Sequence, residues 1–311
     1  MLKKILFVFL SIFFLLSMQS YAEDMFDYVP GNTGLIIQSN IKQIQTIPEV
    51  KQWLENAVIK QSDNYYEEIK AIGFNPIDDI ESLLLFVPTE AISDINKSKT
   101  NIALLAKGKF NVDQIIEEIN NKKELFEDFE IGIENGLQNI IINNNGNRLK
   151  ILFINESTVI AGFEEGVDNA KLVRYGKKEG IKSQRDFSTF LTELDSNSTL
   201  AVATVVSNDT RKILLGNDQL KSLGNLSYLL CNLTLTDKLA INMTGSFANP
   251  SDMKAITKAI NSFVETIKPA SETTNKPIGE FAKNHKVTTK GLLATLDSEI
   301  SKETFYQFLG L

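Results

Sequence analysis

Apolar and polar residues alternate along Ile102-Ala-Leu-Leu-Ala-Lys-Gly-Lys-Phe110, and the pattern returns at Leu239-Ala-Ile-Asn-Met-Thr-Gly-Ser-Phe247. Aligned without a gap, Ile102/Leu239, Leu104/Ile241, Ala106/Met243, Gly108/Gly245 and Phe110/Phe247 fall at alternate positions, the period of one buried strand face. Each stretch is followed by apolar residues at helical spacing. These are Val112, Ile115, Ile116 and Ile119 in the first, and Met253, Ile256, Ile260, Phe263, Val264 and Ile267 in the second. The pattern predicts two diverged copies of one α+β module.

The same periodicities place the other elements. A strand over Gly34–Ser39 leads to Asn40, a side chain suited to capping a helix. Pro48 then sits in the first turn of a helix, where its missing N–H costs nothing, with Val50, Trp53, Leu54 and Val58 as its stripe. A second helical piece ends near Gly73, and strands follow at Asp79–Val87 and 101–110. A middle segment holds four short strands, Phe129–Glu134, Asn139–Asn143, Leu149–Asn155 and Ser157–Phe163, with a hairpin turn at 143–146. Two helices come next, Glu164 to Tyr175 and one capped by Ser183 that carries Phe187, Phe190, Leu191 and Leu194. The second copy reads as a strand at Thr199–Val206, a helix near 209–222, the paired strands Leu226–Leu235 and Lys238–Phe247, and a helix from Ser251. Residues 268–285, rich in Pro, Ser, Thr and Lys, read as a loop. A strand at Val287–Leu296 and a short helix with Phe305, Phe308 and Leu309 close the chain. The expected fold is α+β: two diverged ferredoxin-like (βαββα-type) modules with predominantly antiparallel sheets, plus a middle β-meander and helix segment. The segments are a signal peptide at 1–22, a first module at 23–123, the middle segment at 124–196 and a second module at 197–311.

The N-terminus changes the picture from fold to address. Lys3 and Lys4, an apolar run from Ile5 to Leu16, and Ser20-Tyr21-Ala22 before Glu23 describe a cleavable secretory signal. The run is shorter than the roughly 20 apolar residues a bilayer requires. Cleavage after Ala22 removes two lysines and no acid, so the net charge goes from −7 to −9. A periplasmic or extracellular location follows, with no stable membrane insertion after cleavage. An acidic chain is poorly matched to nucleic acid, which rewards net positive charge. Its single cysteine, Cys231, excludes an internal disulfide. Cys231 alternates in phase with Leu229, Leu233 and Leu235, which predicts a core-facing position.

The opening hundred residues carry Val29-Pro30 before the strand Leu35-Ile-Ile, then Ile47-Pro48-Glu49-Val50, then Gly73-Phe74-Asn75-Pro76 running on to Ile80. In these landmarks the chain resembles a loose group of exported bacterial α+β proteins of unknown function. The resemblance implies an envelope-exported α+β protein and carries no catalytic residues.

Candidate chemistry is sparse. His285 is the single histidine and lies in the loop-like stretch beside Lys283 and Lys286. Triads need a base that works near neutrality and most zinc sites need several His or Cys ligands, so one histidine and one core-facing cysteine exclude most of both classes. Asp78, Asp79 and Glu81 could serve as a hydrolytic pair or a calcium site, although neighbouring carboxylates entering a strand also make a turn and a cap. Gly31-Asn-Thr-Gly34 precedes a strand, so it is a turn and not a phosphate loop. Charge is uneven: Lys171–Arg185 holds six basic residues and one acid, and Asp113–Glu134 holds eight acids and two lysines. These are solvated faces, a contact between the two segments, or a site for an anionic partner at the basic one. No catalytic residue, metal ligand or cofactor is assigned.

The sequence therefore favours a non-catalytic binding or structural module whose partner is a protein or glycan of the cell envelope. The alternatives are a carboxylate-dependent hydrolase of envelope polysaccharide and a carrier of an apolar ligand. If Leu239, Ile241, Met243 and Phe247 face inward, the opposite sheet face presents Tyr228, Asn232, Asn242 and Thr244. That face is expected to lie open to water and to form the partner-binding surface, whereas the middle segment covers the first sheet.

Overall fold

The computed structural model describes residues 24–311 apart from 63–66, 68–69, 72, 94–98, 123–128, 145, 185–186, 188–190, 195–197, 207, 209–210, 213–215, 217–223, 275 and 310–311. The chain forms two compact units, one ending at Arg185 and the other beginning at Asp186. Both are α+β and both are built on antiparallel strands.

In the first unit, β1 (Thr33–Asn40) is followed by the short helix α1 (Ile41–Gln45) and by α2 (Pro48–Ser62). Asn40 caps α1 as expected, its side chain accepting the Gln43 N–H at 2.7 Å. Then come β2 (Ile80–Pro88), α3 (Thr89–Ser93), β3 (Ala103–Gly108), α4 (Val112–Asn121), four strands β4 (Phe129–Glu134), β5 (Leu137–Asn144), β6 (Asn147–Asn155) and β7 (Thr158–Phe163), and α5 (Glu164–Arg174). The strand order is β1-β2-β3-β7-β6-β5-β4, and every neighbouring pair is antiparallel. The middle strands thus extend the first unit's sheet through the β3–β7 pair. The cover over this part of the sheet comes from α5, which packs on β3, β6 and β7. β3 is buried at every position, both faces included.

The second unit contains β8 (Leu200–Val205), β9 (Leu226–Leu235), β10 (Lys238–Phe247), α6 (Pro250–Thr274), α7 (Lys276–Asn284), β11 (Lys286–Lys290), β12 (Leu293–Ser301) and α8 (Lys302–Leu309). Its order is β8-β9-β10-β12-β11, again antiparallel throughout.

Neither order is ferredoxin-like. A split βαβ would hold its two helix-linked strands parallel, with another strand between them. Here β1 lies directly beside β2, and β8 directly beside β9, each antiparallel. In the first unit the reason is visible in the connection. More than one helix joins β1 to β2, so the chain reverses and returns beside the strand it left.

Two further expectations are corrected. Residues 268–285 are not a loop, because α6 runs to Thr274 and α7 spans Lys276–Asn284. Pro277 occupies the first turn of α7, where a proline is tolerated. Buried Gly279 and Ala282 dock the helix against β12 and α8, so tertiary packing overrides a weak local signal. The expected strand Val287–Leu296 is instead a hairpin, in which β11 and β12 are joined across Gly291 at φ +61°, a left-handed turn that glycine adopts without cost.

The glycine shared by the two aligned stretches has a different role in each unit. A Cβ on Gly108 would lie 2.1 Å from the Asp79 carbonyl oxygen, part of the backbone that the neighbouring Lys109 N–H binds at 2.8 Å. A Cβ on Gly245 would meet the tip of the Leu226 side chain at 2.7 Å, which can rotate away. Gly108→Ala is expected to cost about 3 kcal/mol and Gly245→Ala less than about 1 kcal/mol. Chemical denaturation of the two variants checks this, and equal losses would contradict the assigned close approach.

Candidate functional site

The four residues expected to bind a partner do share one face of the second unit's sheet. Register places Asn232 opposite Asn242, and Tyr228 opposite Ser246 one pleat from Thr244. The face is only partly open, with Tyr228 and Asn242 half-buried. Asn232 and Thr244 are each 5 % exposed, and their neighbours across the sheet, Ala201, Ala203 and Leu230, are fully buried. The chain before β8 provides the lid: Phe187 stacks on the Tyr228 ring at 5.4 Å, and the Glu193 carbonyl accepts from Asn232 Nδ2 at 3.2 Å. Asn242 donates to Asp297 at 2.7 Å, and the Thr244 hydroxyl bonds that of Thr295 at 3.0 Å. The expectation of an open polar surface is therefore corrected. Alternation identifies which residues share a face, but it cannot say which face a later-packing segment covers.

The opposite face carries the converse surprise. Leu229, Cys231, Leu233, Ile241 and Met243, expected in the core, are only half-buried. Register aligns them in rows across four strands, Val202–Cys231–Met243–Leu296 and Leu200–Leu233–Ile241–Ser298. Both ends of these rows are covered. At one end α6 sits over a core of Val206, Leu226, Phe247, Met253, Ile256 and Ala294. A bulge at Ser246/Phe247 turns Leu226 onto this face, and the Val206 N–H holds the bulged Ser227 carbonyl at 2.9 Å. At the other end the Ser298 hydroxyl donates to the Phe281 carbonyl of α7 at 2.9 Å. Between the ends lies a stripe of six apolar residues from these rows, with Leu229 beside them, and Cys231, all half-buried. Burial pushes the Cys231 thiol pKa up, so it is a poor nucleophile at neutral pH.

The carboxylates singled out by sequence are engaged in structural roles. Asp79 accepts the Asn75 N–H at 2.6 Å, Asp78 pairs with Lys51 at 2.6 Å, and Glu81 pairs with Lys42 at 3.3 Å. Asn75 organises this turn, its side chain accepting the Ile77 N–H at 3.1 Å. A polar cleft of about 870 Å³ opens beside it, lined by Asp79, Lys109, Asn111, Asn155 and Glu156. The polar atoms at its rim are largely used by the turns themselves: Asn155 accepts both the N–H and the hydroxyl of Ser157 at 2.8 Å. His285 is half-buried at the end of α7, with Nδ1 2.8 Å from the Ala282 carbonyl. No group of three or more potential metal ligands occurs among the described residues.

One electrostatic feature that sequence raised as an alternative is present. The acidic and basic segments meet where Lys171 donates to Glu134. Buried Lys150 joins them, 2.5 Å from Glu134 and 2.7 Å from Asp168, and Lys171 lies 3.7 Å from Asp168. Two lysines and two carboxylates form a neutral network under α5. Sequence reasoning missed Lys150, whose only signal is a charge within the otherwise apolar run Leu149–Ile154 of β6. Lys182 of the same basic segment pairs with Asp24 and Asp27, each at 2.6 Å.

No protein-family model and no curated protein sequence matches the chain. A similar solved structure is that of TP0453 in its crystal form IV. It matches with a TM-score of 0.51 over 93 % of this chain and 97 % of that one, at 12 % identity. At that identity the likeness concerns the fold alone.

Proposed function

We propose that this chain is an exported, non-catalytic binding protein of the cell envelope, and that it binds through the apolar stripe on the strands of its second unit. The observation that carries the reading is the set of apolar rows on that unit's strands: Cys231, Leu233, Ile241 and Met243 stay half in water between two helical covers, while on the opposite face Asn232 and Thr244 are buried and bonded internally and Tyr228 and Asn242 are half-buried. Surface of this kind, organised in rows on rigid strands, is suited to recognition. Export is supported by Lys3, Lys4, the Ile5–Leu16 run and Ser20-Tyr21-Ala22. No helix among the described residues is long and apolar enough to cross a membrane, which is compatible with a chain released after cleavage. The net charge keeps nucleic acid an unsuitable partner. Two diverged copies of one module are supported by the aligned stretches at 102–110 and 239–247, each falling in the third strand of its unit, before a helix and beside the unit's last strand.

The same stripe supports a second reading, a carrier of an apolar ligand. The hydrolase reading is weaker, since Asp78, Asp79 and Glu81 are occupied by a turn and by lysines. One experiment separates the two favoured readings. Cys231 is the sole cysteine and lies within the stripe, so an environment-sensitive thiol dye placed there reports occupancy. Envelope extract is expected to shift the dye's emission to the blue, and Met243→Lys on the adjoining strand is expected to abolish the shift. If the organic-soluble fraction alone produces the shift, the carrier reading stands; if the protein fraction is needed, the partner reading stands. An unshifted dye in whole extract rejects the stripe as the binding element.

A further inference from the structure

The terminal strands of the two units are chemically opposite. β4 ends the first unit's order and pairs with β5 alone among the described strands. It carries Glu130 and Glu134 on one face and Ile131 and Ile133 on the other, with Ile133 72 % exposed. β11 ends the second unit's order and pairs with β12 alone among the described strands. It begins and finishes on exposed lysines, Lys286 and Lys290. A strand with one paired edge presents the N–H and C=O groups of its other edge to any extended chain, and charge is the usual guard.

These guards exclude like edges and admit unlike ones. Two β4 strands meeting antiparallel would set Glu130 against Glu134, and two β11 strands would set Lys286 against Lys290; like charges directly opposite destabilise a pair. β4 against β11 reverses the sign. Both strands space their charges four residues apart, so the antiparallel register that places Glu130 opposite Lys290 also places Glu134 opposite Lys286. The same register brings Ile133 onto Val287 on the other face. Glu130 lies 4.0 Å from Arg148, and its side chain is 62 % exposed, which leaves its carboxylate room for a second cation. Glu134 already accepts from Lys150 and Lys171, so the Glu130–Lys290 pair contributes the larger share.

We propose that β4 of one copy pairs antiparallel with β11 of a second copy in this register, joining copies of the chain head to tail. The pairing is heterologous, so it extends or closes into a ring according to the rotation between copies. With five residues paired and the charges at the surface, the association is reversible and weakens with salt.

Sedimentation velocity of the chain from Glu23 onward tests this over a wide concentration range. The expected result is concentration-dependent association that rising salt reverses. Glu130→Lys and Lys290→Glu, each alone, are expected to weaken it by about tenfold, because an attractive cross-strand pair becomes a repulsive one. A mixture of the two variants is expected to recover it: reversed charges then meet each other, and native charges meet each other. Unchanged melting of each variant separates lost association from lost fold. As a geometric check, Ile133→Cys and Val287→Cys are placed in separate chains that also carry Cys231→Ser, and their mixture is expected to form a disulfide-linked pair that neither forms alone. A chain monomeric at every concentration, a mixture that fails to recover association, or Ile133→Cys cross-linking with itself as readily as with Val287→Cys would each overturn the proposal.

Discussion

Ile256→Asp is expected to unfold the second unit while leaving the first folded. Ile256 is 4 % exposed in the core beneath α6, in contact with the cluster that includes Phe247, Leu226 and Met253. Losing a buried isoleucine costs about 2–5 kcal/mol, and an unpaired carboxylate in its place adds a desolvation cost of several more. Domain stabilities are only about 5–15 kcal/mol, so the substitution removes most or all of the margin. Two intrinsic probes follow the units separately. Trp53, the sole tryptophan, lies in α2 of the first unit, and Cys231 lies in β9 of the second. In the variant, Cys231 is expected to react with a thiol reagent at the rate of an unfolded chain while Trp53 emission stays native. A protected thiol and a normal melt would show that α6 does not form this core. In the first unit the corresponding lesion is Ile115→Asp or Ile119→Asp, at 5 % and 3 % exposure. Ile116 is half-buried, so Ile116→Asp does less damage than its place in the apolar pattern suggests.

Element positions were legible because local chemistry specified them. Phe129–Glu134, Leu226–Leu235 and Lys238–Phe247 match their strands end to end. Asn40 and Gly176 mark helix ends through capping and a left-handed turn. The errors arose where a non-local contact decided the outcome. A loop-like composition over 268–285 became helical because Ala282 and Gly279 found a sheet to pack on. The strand order depends on whether the intervening helices bring the chain back to the end it left, which periodicity does not show. The site was misread for a related reason. Alternation correctly placed Asn232 with Thr244 and Leu229 with Cys231, yet it assumed that the apolar set is the covered one. Phe187 and Glu193, from outside the aligned module, cover part of the polar set instead, stacking on Tyr228 and bonding Asn232.

Lys150→Met is expected to destabilise the first unit by about 3 kcal/mol, and to do so in a pH-dependent way. Lys150 is 3 % exposed on β6, and breaking a buried ion pair from one side costs about 3–5 kcal/mol because the other charge stays behind. The lower end applies here, since Lys171 remains to serve both Glu134 and Asp168, and those carboxylates are each more than a third exposed. Hydrogen bonds from Lys150 and then Lys171 hold the Glu134 pKa below the usual carboxylate range. Burial works against the Lys150 charge, yet hydrogen bonds to Asp168 and Glu134 keep its pKa above the ordinary lysine value. The signs then follow. A carboxylate whose folded pKa is depressed contributes stability above its unfolded value, about 4.3 for glutamate, and that contribution is lost as pH falls through the folded value. A lysine whose folded pKa is raised contributes below its unfolded value, about 10.4, and that contribution is lost as pH climbs through the folded value. The native chain is therefore expected to lose first-unit stability on acidification below the glutamate range and again in strong alkali. In Lys150→Met both losses shrink, because one donor to Glu134 and the alkaline titration itself are gone. Urea titrations followed by Trp53 fluorescence at neutral, acidic and alkaline pH measure this. A variant whose deficit is the same at all three would show that Lys150 acts through packing alone and not through its charge.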